Sequence, residues 1–186
     1  STIDGHDIKG YLGVGMSKLI VGMAFSGGLM MVVLAGGELF TSNVLISLSV
    51  LEKKSRFKDL LRNWSIVYGA NLIGAIILSV IIFYTGLWKQ HDLLTGVYAL
   101  KIATAKVNLS FIEAFSRGIL CNWLVCLAIW MSFAARNVIG KIFAIFFPIT
   151  IFVASGYEHC IANMFYIVKG LLLKSVPVLS SSSGIA

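Results

Sequence analysis

Charge is scarce in this chain. Of its 186 residues 12% are charged and 58% are apolar, and a mean hydropathy of +0.91 lies far outside the range of soluble domains. The few charges cluster between apolar runs and leave no room for a separate soluble domain. Cysteine is equally sparse: Cys121, Cys126 and Cys160 lie inside apolar segments, and an odd number so placed provides no disulfide framework. Metal-ligand spacing is missing too, since His159-Cys160 stands without the second pair that zinc needs. No nucleophile is matched with a base, so neither an enzyme nor a cofactor is expected. The first residues lack the basic start and apolar core of a signal peptide, and residues 1–14 and the serine-rich tail 179–186 read as loops. A formal charge of +7 invites a nucleic-acid partner, but no continuous basic face with interleaved aromatics accompanies it. The surroundings this composition implies are a lipid bilayer.

What the chain does have is two apolar stretches, residues 15–51 and 142–173, each too long for one membrane helix. The first would reach about 55 Å as a continuous helix, against a hydrocarbon core of about 30 Å. Each carries the same polar interruption. Gly36-Gly37-Glu38-Leu39-Phe40-Thr41-Ser42-Asn43 and Gly156-Tyr157-Glu158-His159-Cys160-Ile161-Ala162-Asn163 align without a gap, with Gly, Glu and Asn at matching offsets. Carboxylates and asparagines at that depth are costly unless they line a cavity or are buried in protein. A repeated pair of broken helices marks a transport site near the midplane, built from two halves of inverted topology.

Between them lie spans over 64–88 and 118–133, the first with Ala70-x-x-x-Gly74 on one face, a spacing that permits close helix contact. Residues 89–117 are mixed, and Pro148 predicts a kink. Lys53, Lys54, Arg56, Lys58 and Arg62 crowd loop 52–63, and Arg136 and Lys141 fall in loop 134–141. The positive-inside rule places both loops in the cytoplasm. The two broken spans then cross in opposite senses, as inverted repeats require. The same symmetry asks for one further span before residue 15 and one after 173, both absent from this chain.

Ala35 through Asn43, Gly118-Ile119-Leu120-Cys121-Asn122-Trp123-Leu124-Val125-Cys126-Leu127-Ala128, and Ala154 through Met164 closely resemble, in order and spacing, the three signatures of the formate/nitrite transporter family. The likeness covers nearly all of the chain. It implies an all-α, aquaporin-like inverted-repeat bundle in the inner (plasma) membrane, with one pore per protomer and a homopentameric assembly. It implies as solutes small monovalent anions: formate, nitrite or hydrosulfide. By motif, Leu39, Phe40 and Thr41 fall in a gating helix break, His159 is the central pore histidine, Lys106 matches a lysine close to it, and Asn122 matches a pore-side asparagine. Phe25, Leu29 and Phe152 fall where the family narrows.

The chemistry follows from residue type. Helix N-termini at mid-membrane offer N–H groups and roughly half a positive charge each, Thr41 and Ser42 suit N-cap positions, and Lys106 concentrates anions. His159, with an unperturbed pKa of about 6.5, can hand a proton to a weak-acid anion so that it crosses the apolar constriction as the neutral acid. The bland reading of His159 is a satisfied core residue, and that of Lys101 a solvated charge. Glu38, Asn43, Glu158 and Asn163 are expected to be structural at the breaks, the carboxylates taking backbone N–H bonds near the helix starts. The competing function is a water- or glycerol-type channel, against which Lys106, His159 and the lack of paired Asn-Pro-Ala turns argue.

Overall fold

The computed structural model describes residues 2–3 and 6–179, so the polar tail beyond 179 lies outside the described residues. Two-residue strands β1 (Thr2–Ile3) and β2 (His6–Asp7) pair antiparallel where a loop is expected. Helix α1 (Ile8–Ala35) follows and bends at Gly13, whose φ of 71° interrupts the helical backbone; its apolar part is Gly13–Ala35. The chain then forms α2 (Phe40–Asn43), α3 (Ile46–Leu51), α4 (Phe57–Tyr84), a 3₁₀ turn (Leu87–Lys89), α5 (Leu94–Val107), α6 (Phe111–Ala134), α7 (Val138–Ser155) and α8 (Cys160–Lys174).

Both long apolar stretches are broken at the repeated motif, and by the same device. Gly36 (φ 73°) and Gly156 (φ 76°) take the left-handed conformation that glycine adopts without steric cost. One residue on, the Gly37 and Tyr157 N–H groups reach back five positions to the Val32 and Phe152 carbonyls, at 2.8 and 3.1 Å. Each helix is therefore closed by a Schellman-type turn, which satisfies carbonyls that would otherwise be stranded in lipid.

The spans between the breaks are longer than hydropathy indicates. α4 begins at Phe57, so Lys58 and Arg62 ride on its first turns and the irregular loop shrinks to 52–56, where Arg56 Nε and Nη2 pair with Asp59 at 2.9 and 3.1 Å. α6 begins at Phe111 because Ser110 and Glu113 form a reciprocal capping box. α7 continues as helix through Pro148. Among the described residues four helices are long and apolar enough to cross a membrane. On α4, Ile66, Ile73, Ile77 and Ile81 are each more than half exposed, an outward apolar face that suits lipid or another membrane helix. The molecule is a multi-pass membrane protein.

Packing divides the helices into two groups. α1 and α6 pack on α7, while α4 and α5 pack on α8, and short α2 touches α4, α6 and α8 between them. In the first group Leu29, Val125, Ala128, Ile145, Ile149 and Phe152 form the core. Small residues set the closest crossings. A Cβ on Gly22 would lie 2.6 Å from the Thr150 carbonyl oxygen, and one on Gly170 would overlap the Ala103 Cβ. The Ala70/Gly74 pair does something else: nothing lies within 4 Å of a Cβ on Gly74, and both residues line a cavity between the two groups.

Candidate functional site

That cavity, of about 730 Å³, is lined by Phe25, Leu29, Leu39, Phe152 and His159, together with Asn71, Gly74 and other residues of α4 and α8. A second space of about 170 Å³ is lined by Lys106, Glu158, Asn163 and Tyr166. Phe25, Phe152, His159, Ala162 and Tyr166 border both, so these five form the wall between the chambers. Three of their rings pack in series: Phe25 meets Phe152 edge-on at 5.7 Å, and Phe152 stacks on His159 at 5.9 Å. Such a wall is apolar except for one imidazole and one phenol.

The two breaks meet at that imidazole. Leu39 and His159 occupy equivalent places, each the extended residue immediately before a helix. His159 Nδ1 accepts the Ala162 N–H at 3.0 Å, which makes the side chain the N-cap of its own helix. With Nδ1 used as an acceptor, the neutral ring carries its proton on Nε2. Nε2 lies 3.0 Å from Thr41 Oγ1 across the break, and both side chains are buried. The ring therefore donates to Thr41, whose own hydroxyl proton remains for another acceptor.

Several sequence expectations meet a different arrangement. Thr41 and Ser42 are not N-caps: that place falls to Leu39, and Ser42 Oγ donates back to the Leu39 carbonyl at 2.7 Å. The residue type misleads because the cap is supplied from another helix. Asn71 Oδ1 on α4 accepts the Phe40 N–H at 3.0 Å, and its Nδ2 donates to the Glu38 carbonyl at 3.2 Å. The Phe40 ring packs edge-on against Trp64 and Tyr68, at 6.0 and 5.1 Å, rather than lining the cavity. Asn122 donates to Cys126 Sγ at 3.5 Å, and that thiol lies 3.8 Å from the Thr41 carbonyl, so Asn122 supports the break through Cys126.

The carboxylates meet side chains rather than backbone N–H groups. Glu38 and Glu158 sit one residue before the extended residue, too early to reach their own helix N–H groups. Glu158 Oε2 instead accepts Lys106 Nζ at 2.7 Å and Asn163 Nδ2 at 2.8 Å. Glu38 Oε2 accepts Asn43 Nδ2 at 2.8 Å and Asn63 Nδ2 at 3.4 Å. Lys106 is thus no free charge: its side chain is 17% exposed, its ammonium meets the carboxylate of a glutamate side chain 11% exposed, and it lies 5.4 Å from the Tyr166 ring centroid. Lys101 is exposed, as expected of a solvated lysine. No cluster of three or more His, Cys, Asp or Glu side chains capable of holding a metal occurs among the described residues.

Asn71, Asn63, Trp64 and Cys126 are the participants that sequence reasoning did not place at the site. Trp64 Nε1 donates to the Asn43 carbonyl at 3.0 Å. Trp64, Tyr68 and Asn71 follow at i, i+4 and i+7, the stripe by which one helix face grips a neighbour; that spacing was the available signal.

Two helices that begin at breaks, with a histidine in the wall between two chambers, place the chain among membrane proteins of the broken-helix class. The family profile described as "Formate/nitrite transporter" matches residues 2–184. The chain belongs to the formate/nitrite transporter family. It is 41% identical over 165 residues to formate channel FocA of Escherichia coli, covering 89% of this chain and 58% of that protein. It is 40% identical over 158 residues to formate channel FocA of Haemophilus influenzae, covering 85% and 56%. The chain therefore spans a little over half the length of these curated relatives. A solved structure described as a pentameric formate channel with formate bound superposes with a TM-score of 0.84 at 39% identity, over 97% of this chain and 70% of that one. These likenesses give the water- or glycerol-channel reading no support.

Proposed function

We propose that the protein conducts formate, and monovalent anions of similar size such as nitrite and hydrosulfide, as a homopentamer in the plasma membrane, with loops 52–63 and 134–141 on the cytoplasmic side. The observation that carries this is His159 in the wall between the chambers, its Nε2 3.0 Å from the buried Thr41 hydroxyl behind it. The pair sets polar hydrogens beside a largely apolar constriction, where an anion losing its water needs a donor. The relatedness to formate channels selects formate among the solutes.

In this reading the anion enters the smaller chamber near the Lys106–Glu158 pair, passes the Phe25/Phe152/His159 wall, and leaves through the larger chamber. At the wall the Thr41 hydroxyl donates to a solute oxygen while its own oxygen accepts His159 Nε2–H. Proton-linked passage goes one step further. A second proton on Nδ1 displaces the Ala162 N–H and releases the cap of α8; the cationic ring then gives its Nε2 proton to Thr41 as Thr41 gives its own to the anion. Formate leaves as formic acid and the ring is left neutral with its proton on Nδ1; the helix is recapped once Nδ1 releases that proton to water and Nε2 takes one up.

The test is initial solute influx into proteoliposomes holding the full chain. Formate influx well above protein-free vesicles, with glycerol influx at their level, is expected. Glycerol influx equal to that of formate refutes the anion reading. External labelling of Ser55→Cys in intact cells refutes the orientation.

A further inference from the structure

We propose that Asn71 positions a second narrowing, at Leu39: it holds that residue against the larger chamber by binding the backbone on both of its sides, and so sets the size of solute that passes. The proposal rests on the channel reading above. Leu39 lines the larger chamber and packs on the α1/α6/α7 core. Its backbone is extended (φ −125°, ψ 126°), and no side chain of its own segment caps the helix that follows. The two backbone groups that flank it, the Glu38 carbonyl and the Phe40 N–H, are stranded by the break. Both are taken by one side chain, the Asn71 amide, at 3.2 and 3.0 Å. A primary amide can do this because it presents a donor and an acceptor side by side, as a peptide group does. Asn71 thus stands in for the helical turn that the break removes.

The location makes this more than a stability device. Asn71 itself lines the larger chamber, together with Ala70, Gly74 and Ala75. Around it, Trp64 holds the Asn43 carbonyl and Tyr68 holds the Phe40 ring, so the segment behind Leu39 is anchored to α4 independently. Releasing Asn71 frees Leu39 and little else.

The experiment compares influx of formate and of the larger monocarboxylate propionate in proteoliposomes, for wild type, Asn71→Leu, Asn71→Asp and Asn63→Leu, with assembly checked by size exclusion. Asn71→Leu keeps the branched four-atom side chain and removes both bonds; the propionate-to-formate ratio is expected to rise about tenfold, what two hydrogen bonds worth about threefold each do to a held-to-released equilibrium. Asn71→Asp keeps the acceptor for Phe40 and loses the donor to Glu38, and a rise of about threefold is expected on the same basis. Asn63→Leu, which disturbs only the Glu38 and Asn43 side chains, should leave the ratio within about twofold. An unchanged ratio in an assembled Asn71 variant overturns the proposal, and so does an equal loss of both fluxes, the mark of a merely structural residue. Should Asn71→Leu not assemble, the ratio in Asn71→Asp decides alone. Wild type that passes no formate sinks the channel reading instead, a result visible before any variant is compared.

Discussion

The two helix breaks share a turn, an offset and a Glu/Asn pair, yet they are held by different means. The second break caps itself through His159, and its carboxylate is joined to a cation, Lys106. The first break has leucine where the second has histidine, and relies on α4: Asn71 for its backbone, Asn63 for its carboxylate, Trp64 for its far end. One repeat thus carries a titratable group in a self-supporting frame, and the other presents an inert side chain in a frame supplied by its neighbour. Identical local geometry does not require identical chemistry, provided each stranded polar group finds some partner.

The sharpest way to break this comparison is to remove the two carboxylates in turn. Glu158→Ala leaves the Lys106 ammonium poorly solvated and unpaired, an error worth about 3 kcal/mol or more, and should strongly reduce the yield of assembled protein and its formate flux. Glu38→Ala, at an exposed carboxylate facing only amides, should lower assembly far less; equal losses would mean that the breaks are electrostatically equivalent. Recovery of assembled protein after mild thermal challenge measures both.

Next in size come the turns. Gly36→Ala and Gly156→Ala each force an L-residue into the left-handed region, at about 1–2 kcal/mol, and should destabilise the protein alike in the same thermal assay. A large difference would show that the shared turn is not equally required.

The third contrast concerns the proton. His159→Asn preserves the cap acceptor for Ala162 but is too short to replace Nε2 toward Thr41 and cannot ionise. The assembled variant should therefore lose the pH-dependent part of formate influx between about pH 5 and 8, the range around an ordinary histidine. A wild-type profile in the variant assigns the ring to capping alone. The smallest effect is expected at Phe40, whose ring faces Trp64 and Tyr68: Phe40→Leu should change formate influx least of these variants, and a loss as large as any of theirs would return Phe40 to the pore.

Much of the frame is legible in the sequence because it rests on local rules. Gly36 and Gly156 announce their turns, the matching Glu and Asn residues announce the repeat, and the apolar runs announce the spans. The partnerships are not legible, because each joins distant parts of the chain. Nothing in the spacing ties Lys106 to Glu158, so its charge reads as free. Nothing ties Asn71 to Glu38 and Phe40, so the hydroxyls of Thr41 and Ser42 look like the caps. The resemblance to a known family brought His159 and Thr41 into one site, but the ring's orientation follows only from its two hydrogen bonds.

The separations of these partners along the chain also bear on synthesis. Asn71 lies 31 residues beyond Phe40, whereas His159 lies 118 residues beyond Thr41. At about 5–20 residues per second, a ribosome supplies the first partner roughly 2–6 s after Phe40, and the second roughly 6–24 s after Thr41. A break that depended on His159 alone would sit in the bilayer for that interval with bare backbone groups. Support from α4, the next segment to be made, shortens the wait. The order of translation thus gives the first break a reason to be held from α4.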